Sequence, residues 1–220
     1  MRYGRISAVV LIVAGVLIGE WFYLKAESDP TETEAEPGLS VQAAALGGPY
    51  ALIDHTGVPV SEQSFRGQYQ VMVFGYTFCP DVCPTTLTAI TEAMELLGPA
   101  AEKVQPLFVS VDPERDTPAI MADYVAAFHP RMIGLTGSPA QIKEIAQSYR
   151  VYYSKVETGD GFYPLDHSAY IYVLGPEGAI LTYLKHDATP QVIATAIQSA
   201  MARAAASAAR SEDTARRPKS

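Results

Sequence analysis

The sequence predicts an α/β fold, a mixed β-sheet flanked by helices, and three observations carry that prediction. An early stretch alternates strand, helix and strand, and a late stretch reads as a hairpin followed by a helix. The only two cysteines of the 220 residues, Cys79 and Cys83, stand at the C-terminal end of the first long strand. Early alternation favours parallel strands with helical crossovers, and the late hairpin adds antiparallel ones, so the sheet is mixed and covered by helices. This order, with a dithiol in that place, matches a thioredoxin-like fold. Ligands of such open sheets gather at the carboxyl ends of the strands.

Pro49 to Ile53 and Val58 to Val60 flank the turn-forming triplet His55-Thr56-Gly57 and predict an N-terminal hairpin. Gln70 to Tyr76 is β-branched and aromatic between polar residues, a buried strand. From Thr85 to Leu97 the apolar residues Leu87, Ile90, Met94 and Leu97 recur at helical spacing. Gln105 to Val111 is a strand, and Pro118 to Phe128 a helix that Pro118 opens, with Asp116 or Thr117 as its cap. Arg131 to Leu135 is a short strand, and Ser138 caps a helix that runs from Pro139 to about Tyr149. Val151 to Val156, Ala169 to Leu174 and Ala179 to Leu184 are strands, the last two joined by Gly175-Pro176-Glu177-Gly178. Thr189-Pro190 starts a final amphipathic helix that reaches about Arg203.

The ends of the chain have other compositions. Arg2 and Arg5 precede an apolar run from Ile6 to Gly19, extended past Glu20 by Trp21, Phe22, Tyr23 and Leu24. That length spans a bilayer, the aromatic residues suit its interface, and the arginines keep the N-terminus on the cytoplasmic side. Residues 1–25 therefore read as a single N-terminal transmembrane helix, retained rather than cleaved, because the small residues Ala43-Ala44-Ala45 lie too far from the apolar core for normal processing. Residues 26–45 carry Glu27, Asp29, Glu32, Glu34 and Glu36 and read as a flexible acidic linker. Residues 46–203 form one domain, and residues 204–220, Ala-rich and then basic at Arg210, Arg216, Arg217 and Lys219, read as a disordered tail. Net charge is -8, and the basic residues of the domain do not cluster among aromatic ones, which argues against nucleic-acid binding.

Chemistry concentrates in Gly75-Tyr76-Thr77-Phe78-Cys79-Pro80-Asp81-Val82-Cys83-Pro84. The cysteines sit on a loop that runs into a helix N-terminus, where free backbone N–H groups and the helix dipole favour thiolate. An i, i+4 relation puts both sulfurs on one face, near enough to share a metal ion or to close a disulfide. Both outcomes use thiolates, so spacing does not choose between them. Buried filler and a purely structural disulfide are the plainer alternatives.

Two thiolates make a thin metal site, so each histidine is weighed as a partner. His55 lies in a hairpin turn, His129 ends a helix whose dipole a cation would complement, and His186 has the surface-like neighbours Lys185 and Asp187. His167 stands apart. It lies in Pro164-Leu165-Asp166-His167-Ser168, on the loop that in a thioredoxin-like fold faces the dithiol, with Asp166 placed to orient its ring. Two thiolates and one imidazole make a soft site with an open position. Copper fits it best, and zinc stays chemically open.

Three separated motifs then resemble the Sco/SenC family of copper-binding assembly proteins: Tyr76-Thr77-Phe78-Cys79-Pro80-Asp81-Val82-Cys83-Pro84, Val109-Ser110-Val111-Asp112-Pro113-Glu114-Arg115-Asp116-Thr117-Pro118, and Asp166-His167-Ser168. The similarity spans roughly Leu46 to Met201. It implies a membrane-tethered metallochaperone that binds Cu(I) or Cu(II) through Cys79, Cys83 and His167. It implies Asp81 and Asp166 as acidic neighbours of those ligands that tune affinity or docking, and Asp112 to Pro118 as a loop that shapes the site. The implied client is subunit II of cytochrome c oxidase, whose binuclear copper centre it helps to load after an upstream donor supplies the metal. The implied location is the inner (cytoplasmic) membrane, with the C-terminal domain in the periplasm.

A thiol-disulfide oxidoreductase that keeps the client's cysteines reduced is the competing function, with Cys79 and Cys83 as the exchanging pair. Peroxidase-like chemistry ranks below it. It calls for an arginine beside the reactive thiolate, and none flanks Cys79 in the sequence.

Overall fold

The structure, a computed structural model, describes residues 46–158 and 163–216. The expected transmembrane helix (1–25) and acidic linker (26–45) lie outside the described residues. Among the described residues no helix is long and apolar enough to cross a membrane.

The predicted hairpin is β1 (Ala51–Asp54) and β2 (Pro59–Ser61). The Asp54 carboxylate ties its turn, accepting from the N–H groups of Thr56 at 2.8 Å and Val58 at 3.0 Å. There follow β3 (Tyr69–Gly75), α1 (Val82–Leu97), β4 (Val104–Ser110), α2 (Pro118–Val125), β5 (Ile133–Thr136) and α3 (Pro139–Ser148). The chain closes with β6 (Tyr153–Lys155), β7 (Leu165–His167), β8 (Tyr170–Leu174), β9 (Ile180–Lys185) and α4 (Pro190–Arg216). Seven strands form one sheet in the order β2-β1-β5-β4-β3-β8-β9. Its centre, β5, β4 and β3, is parallel, and β1, β8 and β9 join antiparallel, as the mixed pattern demands.

Both faces of β3 and β4 are covered, which is why these strands read as nearly continuous apolar runs. Val71, Val73 and Phe108 face one core, into which α1 packs Leu87, Ile90, Met94 and Leu97 and α4 packs Ile193 and Ile197. Met72, Phe74, Leu107 and Val109 face the other, closed by Ile142 and Ile145 of α3 and by Tyr149. There Phe74, Tyr149 and Tyr172 meet ring to ring, with centroids 5.4 to 5.9 Å apart, a tilted and edge-on arrangement that suits aromatic quadrupoles.

Helix starts follow the sequence signals. The Thr117 hydroxyl accepts from the Ile120 N–H ahead of α2, and Ser138 and Gln141 form a capping box ahead of α3. Asp116, one of two expected caps for α2, turns inward instead.

Three elements differ from expectation. Helix α1 starts at Val82 rather than Thr85, which puts Cys83 in its first turn. Pro84 is tolerated there because the first N–H groups of a helix have no intrahelical acceptor to lose. Residues 165–167, a loop by sequence, form β7, paired with β6 in a separate two-stranded sheet. Helix α4 continues to Arg216, through most of the segment expected to be a disordered tail. Alanines from Ala204 to Ala209 have the highest helix propensity of any residue and carry the periodicity past the last core contact.

Candidate metal centre

The site is built where β3 ends. Gly75 closes that strand and its carbonyl accepts from the Val111 N–H at 2.8 Å, which splices it to the end of β4. Cys83, from the first turn of α1, lays its sulfur against the bare Gly75 backbone. A Cβ at Gly75 would stand 2.6 Å from Sγ and 2.9 Å from the Phe108 ring, so only glycine fits beneath the thiol. Between them Tyr76 to Cys79 make a tight turn, in which the Cys79 N–H donates to the Tyr76 carbonyl at 3.2 Å. Strand β7 presents His167 from the other side, held by pairing with Tyr153.

The two Sγ atoms and a ring nitrogen of His167 all lie within 4.8 Å of one another. His167 Nε2 is 3.7 Å from Cys83 Sγ, and Cys79 Sγ accepts from the Cys83 N–H at 3.5 Å. His167 Nδ1 lies 3.0 Å from the Ser168 carbonyl, which can only accept. The Nδ1 hydrogen is thereby assigned, and Nε2 is the atom that faces the sulfurs. The edge of one ring meets the face of the other where Tyr76 packs on His167, at 5.9 Å and 85°.

The two thiols are unlike. Cys79 is held down at about 3, first by the hydrogen bond from Cys83, then by His167 and the backbone N–H groups of Cys83 and Asp81, against a smaller cost of burial than the first of these. Cys83, 5 % exposed, is pushed up by that same hydrogen bond and by burial. The pair thus keeps one proton, on Cys83, and one thiolate, on Cys79.

Of the residues singled out in the sequence, the structure brings Cys79, Cys83 and His167 together and leaves the two acids outside. Asp81 is exposed at the N-cap of α1, makes no capping bond with its side chain, and reaches Cys79 through its backbone N–H. Asp166 is exposed on β7, and neighbouring residues of a strand point to opposite faces. Orientation of the His167 ring, expected of Asp166, comes from the Ser168 carbonyl instead.

The other histidines differ from expectation in detail. His55 accepts from the Gly134 N–H at 3.2 Å and helps fasten β1 to β5. His129 accepts from the Arg131 N–H at 3.2 Å, and burial, with Arg131, lowers its basicity, so it serves as a neutral acceptor rather than a cation at a helix end. His186, read as a surface residue, lines a cavity of about 10 Å³ together with Cys83, Thr86 and His167. That is room for one ion or water. A larger cavity of about 800 Å³ lies away from the thiols, beside β9 and Leu46 to Pro49.

Sequence reasoning gave the Asp112 to Pro118 segment a shaping role, and the structure specifies it. Asp112 pairs with Arg115 and accepts from the Tyr163 hydroxyl at 3.2 Å. The Arg115 guanidinium lies 3.8 Å from the centroid of the Tyr163 ring, 4.8 Å from that of Phe78 and 5.7 Å from that of Tyr76. An arginine therefore reaches the cysteine loop through space although none flanks Cys79 in the chain. Asp116 is buried and bonded to Thr77. Spacing gave no sign of either contact, because both cross between strand ends that only the parallel pairing of β3 and β4 aligns.

Comparison with known proteins follows the same motifs. The family model for SCO1/SenC matches residues 40–202. The Protein SCO2 homolog of Bos taurus mitochondria is 41 % identical over 201 residues, which cover 90 % of this chain and 75 % of the relative. The SCO2-like protein of Rickettsia felis is 33 % identical over 196 residues, 88 % of this chain and 96 % of the relative. Among solved structures, copper-bound ScoI of Arabidopsis thaliana superposes with a TM-score of 0.69 at 39 % identity, covering 72 % of this chain and 99 % of the other. Copper-bound ScoI of Bradyrhizobium japonicum gives 0.65 at 44 % identity, covering 71 % and 98 %.

Proposed function

Because this chain belongs to the SCO1/SenC family, we propose that it is a copper metallochaperone of cytochrome c oxidase assembly, carrying Cu(I) or Cu(II) on Cys79, Cys83 and His167. The observation that carries this reading is the convergence of two sulfurs and one imidazole nitrogen within 4.8 Å. Thiolates are the soft donors that Cu(I) prefers, and imidazole supports Cu(II) as well. Similar proteins of known structure hold copper, and a 25 % identical one is described as a member of the Sco family of cytochrome c oxidase assembly proteins.

Copper is the cargo, and the residues divide the work of receiving it. Cys79 offers a thiolate at once, stabilised by donors already in place. Cys83 must give up its proton as the metal binds, one proton for one metal-sulfur bond. His167 is fixed with Nε2 forward, so this nitrogen faces the sulfurs without rotation of the ring. The adjoining space of about 10 Å³, lined by Cys83, Thr86, His167 and His186, has room for a single ion. Three protein donors leave room for a ligand from a partner, which is the requirement for handing the ion on.

The finer assignments are part of the same proposal. The client is the binuclear copper centre of oxidase subunit II, and Asp81 and Asp166, both exposed on the elements that carry the ligands, meet the partner. Residues 1–25 anchor the chain in the inner membrane, with the domain in the periplasm, a topology supported by Arg2 and Arg5 before the apolar run.

A second reading is favoured by the unequal thiols. Cys79 thiolate attacks a client disulfide to form a mixed disulfide. Cys83 then loses its proton and displaces the client, so two electrons pass to the client and a Cys79–Cys83 disulfide remains. Anaerobic Cu(I) titration of the reduced full chain separates the readings. One equivalent should bind, and His167→Ala should weaken binding at least about tenfold while leaving thiol exchange, which uses only the two cysteines, largely intact. Undiminished affinity in His167→Ala would sink the three-donor site.

A further inference from the structure

Asp116 is 0 % exposed, and a carboxylate withdrawn from water is costly unless its oxygens are filled. They are filled. Oδ1 accepts from the Thr77 hydroxyl at 2.6 Å, and Oδ2 accepts from the Thr77 N–H at 3.1 Å and the Ser110 hydroxyl at 2.6 Å. Ser110 Oγ in turn accepts from the Asp112 N–H at 2.9 Å, which directs the Ser110 hydrogen toward Asp116. Three donors converge on this one group.

Its partners decide what it can do. Ser110 is the last residue of β4 and pairs with Gly75, the last residue of β3. Thr77 lies two residues beyond Gly75 and two before Cys79, in the turn that departs from the sheet. We propose that Asp116 is the positioning residue of the metal loop: by holding Thr77 to the end of β4 it sets the height at which Cys79 faces Cys83 and His167.

The residue beside it acts on the next residue of the loop. Arg115 covers the ring of Phe78, which is 48 % exposed. Consecutive residues of one loop thus grip consecutive residues of the other. A carboxylate suits this place better than an amide, because its two charged oxygens accept from all three donors, whereas asparagine has one neutral acceptor oxygen and would turn a hydroxyl from donor to acceptor of its NH2.

The test measures two properties of the full chain and of Asp116→Asn, Thr77→Val, Thr77→Ser and the Asp116→Asn/Thr77→Val double variant. One is the dithiol-disulfide equilibrium of the metal-free protein against glutathione. The other is Cu(I) affinity in competition with a chromophoric chelator. Asp116→Asn and Thr77→Val should each weaken Cu(I) binding about tenfold and lower the equilibrium constant for disulfide formation several-fold, because the sulfurs are no longer held together. Thr77→Ser keeps the hydroxyl and should behave as wild type. The double variant should be no worse than Asp116→Asn alone, since both changes remove one contact. Wild-type values for both properties in folded Asp116→Asn, or strictly additive losses in the double variant, would overturn the proposal. If Asp116→Asn does not fold, equal behaviour of Thr77→Val and Thr77→Ser overturns it instead. The Cu(I) readout rests on the copper reading, and the glutathione equilibrium does not. A wild-type chain that binds no Cu(I) would remove that reading while the equilibrium still decides the role of Asp116.

Discussion

The Cys83 sulfur rests on Gly75 with no space between them, since a Cβ on Gly75 would stand 2.6 Å from Sγ. Gly75→Ala should therefore push the thiol toward solvent or turn it away from His167. The neighbouring Phe108 ring, 2.9 Å from that Cβ, blocks relief on the other side. We expect Cu(I) affinity to fall by about tenfold or more with secondary structure retained, as read by chelator competition and far-ultraviolet circular dichroism. An Ala variant that binds like wild type would show that Sγ does not occupy this place when metal is held.

The paired thiols make the stability of the reduced protein depend on pH with a defined sign. Cys79 sits at about 3 in the folded chain against an ordinary value of 9.0, so its contribution is complete above the ordinary value and is lost as pH falls toward about 3. Cys83 is shifted upward, so its contribution is complete below the ordinary value and is lost as pH rises beyond it. The thermal midpoint of the reduced chain, minus that of a Cys79→Ser/Cys83→Ser variant, should rise from acid pH to about 9 and decline above it. A difference that stays flat with pH would contradict the shared-proton description.

Leu87 is fully buried in the first half of α1, one turn beyond Cys83, and anchors that helix on the sheet. Leu87→Ala should cost about 2–5 kcal/mol in denaturant unfolding, through lost transfer energy and the cavity left behind. A cost below about 1 kcal/mol would mean that α1 resettles and fills the cavity.

Among the described side chains of α4, Ala200 and Met201 are the last that belong to the cores named above. Removal of residues 205–220 should lower ellipticity in proportion to the helix lost and shift the thermal midpoint by no more than about 4 °C, corresponding to about 1 kcal/mol. A larger loss would assign the distal helix a tertiary partner.

Legibility in the sequence followed the range of the interactions involved. The hairpin, the buried strands and the capped helices were readable because turn residues, periodicity and caps act within a few positions. Strand β7 was not, because Leu165-Asp166-His167 is too short to show alternation and exists only through pairing with Tyr153 to Lys155. The reading of residues 204–220 as a tail rests on the basic residues Arg210, Arg216, Arg217 and Lys219, whereas alanine needs no core to favour the helix found as far as Arg216. At the site, Cys79, Cys83 and His167 could be named from residue chemistry and predicted position. The grip of Arg115 and Asp116 on Phe78 and Thr77 could not, since side-chain reach across two strand ends leaves no periodic trace. Nor could the exchange of Asp166 for a backbone carbonyl as the group that orients His167.

His167 follows Cys83 by 84 positions along the chain. A ribosome making this protein releases both cysteines well before the imidazole, and β8, which docks on β3, later still. During that interval the thiols can react with oxidants or capture a metal ion between themselves, but the three-donor centre does not yet exist. Metal held by all three groups therefore requires the chain at least as far as β7, and copper bound in that way favours the native state by mass action. A metal ion taken up by the complete donor set thus adds its binding energy to a fold already formed.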